Sequence, residues 1–390
     1  MGSVLIVGGG LAAARCAEVL RAHGFDGPLA VAGAEHHAPY ERPALSKEFL
    51  SGGRDAASLA LREDIAWRAA DIDFHLGSAV TRIDLQHRQV RTRCGRTLAY
   101  DVLVVATGAR PRRHPVISDL PGVHHLRTLD DACRLRERLA PGSRLAIVGA
   151  GLIGAEVAST ALGQGIRPTL IEAAPAPLGR AFGGEIGALL AERWRVAGAD
   201  VRTEARVCGA RLGRRGVAAL RFDDGTSLEC DQVLVAIGAV PVTSLVAYQL
   251  SLAADGGIAT DACGRTSEPG VFACGDVASW HRQVLEAGVR AENWSSAAYQ
   301  AAVVARTILG KPAPASDVPL YAWSDQFGLR LQHVSTGATW ERVEIEHGTD
   351  DFEARYLDRK GRVVAGLVAN RPREAARLRR ELAAMPPVAA

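Results

Sequence analysis

Short apolar runs that stop at glycine recur along the chain. Residues 4 to 7, VLIV, and residues 145 to 148, LAIV, are apolar at every position, which is the signature of a strand covered on both faces, as in a parallel sheet. Each run passes through a glycine turn into a segment with apolar residues at helical spacing, reaching about Arg21 in the first case. The word VLIVGGGLAAARCAEVL at 4–20 is thus nearly repeated by LAIVGAGLIGAEVA at 145–158. A strand is predicted from Pro28 to Ala32 after the first helix, and another ends at Leu170-Ile171 after the second. Residues 71 to 100 read as short strands with turns at Gly77 and Gly95, and VLVVATGARP at 102–111 as a buried strand. RTSEPGVFACGDV at 265–277 ends a short strand at Gly275-Asp276, before a helix expected to begin near Glu286. From Phe327 to Ala369 the pattern alternates as in a small antiparallel sheet, and Pro372 to Ala384 reads as a closing amphipathic helix. Strands alternating with helices place the chain in the α/β class.

Composition narrows the possibilities. The 390 residues suffice for two or three domains. No run of eighteen apolar residues occurs, so a membrane span is not expected. The chain enters its first strand within a few residues of Met1, and a cytoplasmic location is the default expectation. Seven cysteines are dispersed with no CxxC spacing, which reads as ordinary thiols rather than a metal site. The formal charge of +3, with only three lysines among 46 basic residues, gives no case for nucleic-acid binding.

The two glycine turns carry the chemistry. Gly8, Gly10 and Ala13 make a GxGxxA turn, where missing side chains let backbone approach a pyrophosphate at a helix N-terminus. Glu35, just past the second strand, is placed to accept from the hydroxyls of an adenosine ribose. Thr107-Gly108 and Gly275-Asp276 are tight turns able to pass close to the same ligand, and together they point to a flavin, FAD. Asp276 can equally be a plain helix cap. Gly149, Gly151 and Gly154 complete a GxGxxG, and Glu172 follows 23 residues after Gly149. A carboxylate there welcomes a free 2'-hydroxyl and repels a 2'-phosphate, so NADH is expected over NADPH.

PYERPALSKE at 39–48, with ATGARP, RTSEPGVFACGD, RAENWSSAAYQ and YAWSDQFGLRLQ, resembles the oxygenase-coupled NADH-dependent ferredoxin reductases. These are FAD proteins that serve haem monooxygenases and ring-hydroxylating dioxygenases, with rubredoxin reductases as near relatives. The resemblance spans about residues 2 to 385. It implies a glutathione-reductase-like fold: two Rossmann-type nucleotide-binding domains plus a small α+β C-terminal domain. Read onto this chain, the FAD domain takes 1–112 and 240–315, the NAD domain 113–239, and the C-terminal interface domain 316–390. Pro111 to Pro121, Gly238 to Pro241 and the proline-rich Lys311 to Pro319 suit the linkers.

The same resemblance implies that Arg42 and Pro43 line the isoalloxazine, that Lys47 lies near its N5 side paired with Glu156, and that Arg110 of the ATGARP segment is a cofactor-binding residue. It implies that Glu292 faces the nicotinamide and that Trp294 and Trp323 flank the ring sites. A surface role for Lys47, and plain packing for the tryptophans, are the alternatives. ERPALSKEF contains no cysteine, so no dithiol relay is expected and electrons leave the flavin directly. The implied partner is an acidic two-iron two-sulfur ferredoxin, docking near Arg290, Arg306, Lys311 and Arg330, with Arg371, Arg373, Arg377, Arg379 and Arg380 of the tail helix as further candidates. A rubredoxin reductase, an NADH oxidase and a slow flavoprotein similar to apoptosis-inducing factor are the competing readings. Arg193-Trp194-Arg195 has no functional account at this level.

Overall fold

Val4–Val7 and Leu145–Val148 are buried throughout, and each lies at the centre of its own parallel sheet. The computed structural model describes residues 2–214, 216–312, 318–348 and 351–384. The first sheet runs in the order Val271–Ala273, Val102–Val105, Val4–Val7, Leu29–Ala32, Asp73–His75. The second runs Asp200–Arg202, Arg167–Ile171, Arg144–Val148, Gln232–Val235, Val123–His124. In both, the glycine turn leaves the carboxyl end of the middle strand, the crevice where strand order reverses and where open α/β sheets receive ligands.

The repetition extends beyond the two quoted words. Each half carries a three-stranded antiparallel meander, Val80–Asp84 with Gln89–Thr92 and Thr97–Ala99 in one, Val207–Gly213 with Gly216–Phe222 and Ser227–Glu229 in the other. An aspartate at the end of each meander caps the amide that opens the middle strand: Ser3 N–H donates to Asp101 at 2.6 Å and Arg144 N–H to Asp231 at 2.8 Å. The next segments are echoes too, DVLVVATGARP at 101–111 and DQVLVAIGAVP at 231–241. Their ends, Ala109–Pro111 and Ala239–Pro241, pair antiparallel, so the chain leaves the first half and returns to it along two adjacent strands.

Two expectations are corrected. The helix after Gly275-Asp276 does not begin near Glu286. A hairpin, Ala278–Arg282 with Ala287–Val289, intervenes with Glu286 in its turn at φ +49°, and the helix runs Trp294–Ile308. Its start is fixed by Asn293, whose side chain accepts from Ser296 N–H at 2.8 Å; Glu292 therefore precedes the helix. The tail sheet begins at Leu320 rather than Phe327, in the order Leu320–Gln326, Leu329–Ser335, Val363–Ala369, Phe352–Leu357, Arg342–His347, all antiparallel. Much of the linker expected at Lys311–Pro319, with the 315/316 boundary, lies outside the described residues.

The Pro372–Ala383 helix packs Ala375, Leu378 and Leu382 on one face of the tail sheet, against Val334 and Val368. The other face is buried against the second half: Phe352 and Tyr356 share a core with Phe182, Leu190 and Trp194. Trp194 is fully buried and stacks on Phe327 with ring centroids 5.7 Å apart, which accounts for Arg193-Trp194-Arg195 as packing between these two units. Among the described residues, no helix is long and apolar enough to cross a membrane, and no group of three or more His, Cys, Asp or Glu is arranged to hold a metal.

Candidate active-site cleft

A cleft of about 590 Å³ opens over the first glycine turn. The turn itself is bare by geometry. Gly8 has φ +135°, and a Cβ there would fall 2.0 Å from the Ala106 carbonyl oxygen, so only glycine fits. The Leu11–Ala22 helix starts at Gly10 and the Leu152–Gly163 helix at Gly151, neither with a side-chain cap. The Leu129–Arg138 and Trp294–Ile308 helices, by contrast, are capped by Thr128 and Asn293. A helix start stripped of its cap leaves several N–H groups and the positive end of the dipole free for an anion. The residues present therefore fit dinucleotide pyrophosphates at both turns.

The cleft lining brings together Gly8, Gly10, Glu35, Arg42, Pro43 and Lys47 from the first strands and turns, and Thr107, Gly108 and Arg110 from the ATG segment. Glu156, Gly275, Asp276, Glu292, Trp294 and Trp323 complete the expected set. Ala13 is buried in the helix beneath the turn. Gly149, Gly151, Gly154 and Glu172 are outside the lining; the Leu152–Gly163 helix reaches it through Leu152, Ile153 and Glu156. At the second turn the Glu172 carboxylate accepts from Ala150 N–H at 3.2 Å and Ala174 N–H at 3.0 Å, which holds it beside the glycines.

One end of the cleft is organised by Glu35. Its carboxylate accepts from the Tyr40 hydroxyl at 2.6 Å and from Arg42 at 2.5 Å. Arg42 also donates to the Arg127 carbonyl at 2.7 Å, and its guanidinium faces the glycine turn and Glu35. Burial and the bond to Glu35 push the Tyr40 hydroxyl pKa up, keeping it a donor. Asp276 is paired with Arg127 at 2.7 Å. Arg127 and Tyr40 are residues the sequence reading missed. Arg127 precedes a helix of the other half, and its reach to Asp276 across 149 positions leaves no local signal.

The other end is built around Glu156, 6% exposed. Lys47 lies 2.9 Å from its carboxylate, the Ser46 hydroxyl donates to Oε2 at 2.5 Å, and the Ser324 hydroxyl donates to Oε1 at 2.7 Å. Trp294 and Trp323 meet edge to face at 6.2 Å, and Tyr321 stacks on Trp323 at 6.1 Å. One cysteine reaches the lining, Cys274. Burial pushes its thiol up to about 12, so it stays protonated and offers no thiolate relay.

The cations expected at the docking mouth divide. Arg306 contacts His23, and Lys311 donates to the His23 carbonyl at 2.6 Å, both where the Leu11–Ala22 helix ends. That end is about 18 Å from the cleft at 1.5 Å per helical residue, so these two do not line the mouth. Arg290 is neutralised by Glu292, and Arg330 pairs with Asp325 at 3.2 Å. On the tail helix, Arg371 binds Glu346 and Asp351, and Arg377 binds Glu353. Arg379 instead lies over the Tyr321 ring, 4.7 Å from its centroid, next to the aromatic wall of the cleft.

Residues 2–301 match the family model described as pyridine nucleotide-disulphide oxidoreductase, and residues 321–390 the model described as reductase C-terminal. Putidaredoxin reductase of Pseudomonas putida is 37% identical over 95% of this chain and 89% of its own length. The ferredoxin–NAD(+) reductase component of the biphenyl dioxygenase system of Paraburkholderia xenovorans is 39% identical over 95% and 91%. The crystal structure of the covalent putidaredoxin reductase–putidaredoxin complex superposes with a TM-score of 0.94, covering 99% of this chain and 94% of that one at 35% identity.

Proposed function

This chain belongs to the pyridine nucleotide-disulphide oxidoreductase family, among its oxygenase-coupled NADH-dependent ferredoxin reductases, and from that premise we infer an FAD-dependent NADH:ferredoxin oxidoreductase. Bound FAD supplies the conversion of a two-electron hydride from NADH into single electrons for a two-iron two-sulfur ferredoxin that feeds a haem monooxygenase or ring-hydroxylating dioxygenase. The observation that carries this reading is the convergence of two glycine-led, uncapped helix starts on one cleft.

The residues take the following roles. Gly8, Gly10 and Ala13 admit the FAD pyrophosphate to the first helix start, and Glu35, held by Tyr40 and Arg42, accepts from the adenosine ribose. Arg127 and Asp276, with Thr107-Gly108 and Gly275, line the path toward the ring. Gly149, Gly151 and Gly154 hold the NADH pyrophosphate, and Glu172, fixed by two backbone amides, selects the free 2'-hydroxyl. Lys47, a cation kept beside Glu156, sets the field at the ring end, while Trp294 and Trp323 exclude water. The division into an FAD domain (1–112 and 240–315), an NAD domain (113–239) and a C-terminal domain (316–390) is supported by the paired crossover strands at 109–111 and 239–241. We place the protein in the cytoplasm, where its seven free thiols would stay reduced.

The test is made on the purified flavoprotein under anaerobic conditions. NADH is expected to bleach the flavin, kcat/KM for NADH to exceed that for NADPH, and the reduced protein to pass electrons to members of a ferredoxin panel faster than to a rubredoxin. A colourless chain that takes up no FAD overturns the reading, and equal kcat/KM for the two nucleotides overturns the role of Glu172.

A further inference from the structure

Three separate parts of the chain meet at Glu156. It rises from the helix after the second glycine turn, Ser46 and Lys47 come from the first half, and Ser324 comes from the first strand of the tail sheet, 168 positions away. Side chains alternate along that strand: Trp323 lines the cleft, while Ser324 and Gln326, 1% and 2% exposed, point inward. Gln326 donates through Nε2 to the Ser324 oxygen at 2.9 Å, and Ser324 donates onward to Glu156 Oε1. This order leaves the buried Gln326 Oε1 without a protein partner, an unfavourable arrangement that an apolar residue of similar size would avoid.

We propose that Ser324, with Gln326 behind it, is a positioning residue for Lys47. A carboxylate that receives hydroxyls on both oxygens cannot rotate freely about its Cγ–Cδ bond, so its Oε2 stays aimed at the Lys47 ammonium. The tail sheet thereby sets where the cleft's cation stands. The strand that supplies an aromatic wall also fixes the charge beside it. The inference rests on the reading of Lys47 given under the proposed function.

The experiment compares holoenzyme variants Ser324→Ala, Ser324→Cys, Lys47→Met and the double variant Ser324→Ala/Lys47→Met in anaerobic stopped flow. Ser324→Ala is expected to lower the limiting rate of flavin reduction about tenfold, with the NADH concentration for half-saturation moved less than about twofold. In the Lys47→Met background the same substitution is expected to change nothing further, since its route runs through Lys47. A second readout does not depend on turnover. The chain has three lysines, 47, 311 and 360, so reductive 13C-methylation, which also labels the N-terminal amine, gives a small set of NMR signals, with Lys47 assigned by its loss in Lys47→Met. In Ser324→Ala the Lys47 signal is expected to move toward those of the exposed lysines. A wild-type rate or an unmoved Lys47 signal in Ser324→Ala, or an effect equal in both backgrounds, overturns the inference; Ser324→Cys, near in size and a much weaker donor, provides the same test if Ser324→Ala does not fold. A Lys47→Met enzyme that bleaches at the wild-type rate overturns instead the reading of Lys47 itself.

Discussion

His333 is a histidine whose surroundings oppose its charge. It sits between the rings of Phe182 and Tyr356, at centroid distances of 5.2 and 6.4 Å, and burial pushes its pKa down to about 4. The folded protein holds it neutral while the unfolded chain takes up a proton as pH falls through about 6.5. Stability is therefore unaffected above that pH and is lost between about 6.5 and 4, by on the order of 3 kcal/mol. Thermal midpoints are expected to fall over this window more steeply for the native protein than for His333→Phe; parallel profiles would exclude the effect. At this scale, legibility in the sequence followed distance along the chain. Glu35 and Glu172 announce themselves because the strand that delivers each one follows its glycine turn closely. Ser324 and Arg127 act on partners 168 and 149 positions away, and a serine or arginine in isolation says nothing of where it will point.

The two glycines of the first turn are needed for different reasons, and alanine separates them. At Gly8 the left-handed backbone and the Ala106 carbonyl forbid a Cβ; at Gly10 the backbone is ordinary and the nearest obstacle is an Arg42 nitrogen at 3.9 Å. Gly8→Ala is expected to lower stability by about 3 kcal/mol or more, from a clash and backbone strain together. Gly10→Ala should leave the apoprotein's melting temperature almost unchanged and weaken FAD binding, because its Cβ intrudes only on the ligand's side. Calorimetry of the apoproteins with flavin titration checks both, and equal melting temperatures for the two variants would contradict the geometry. Strands and helices around both turns were legible because burial on two faces forces continuous apolar runs. The stretch after Asp276 was not. Its hairpin strands are three and five residues long and carry Trp280 and Arg282 inward together, a pattern too short for its period to be read. The echo of DVLVVATGARP in DQVLVAIGAVP was a legible signal that the motif search alone passes over.

For the whole molecule, charge is more informative by its pairing than by its count. Several cleft-edge arginines, and Arg371 and Arg377 at the tail helix, already have carboxylate partners, so the sum of +3 describes little of the surface a partner meets. Arg379, stacked over Tyr321 beside the Trp323 wall, is the tail-helix cation we propose for docking. Arg379→Glu is expected to slow ferredoxin reduction about tenfold at low ionic strength, with the difference shrinking as salt is raised. Rates indifferent to salt in both proteins would remove electrostatic steering altogether. The fold class was legible at this scale because two similar words demand two similar sheets, while the docking surface was not, since sequence cannot say which arginines are already spoken for.

The outgoing and returning strands at 109–111 and 239–241 lie side by side. The ribbon is backed by a second tie, since Tyr40, Leu45 and Phe49 share a buried core with Leu129, Leu135 and Ala155, so parting one half from the other would mean exposing that core as well as separating two strands.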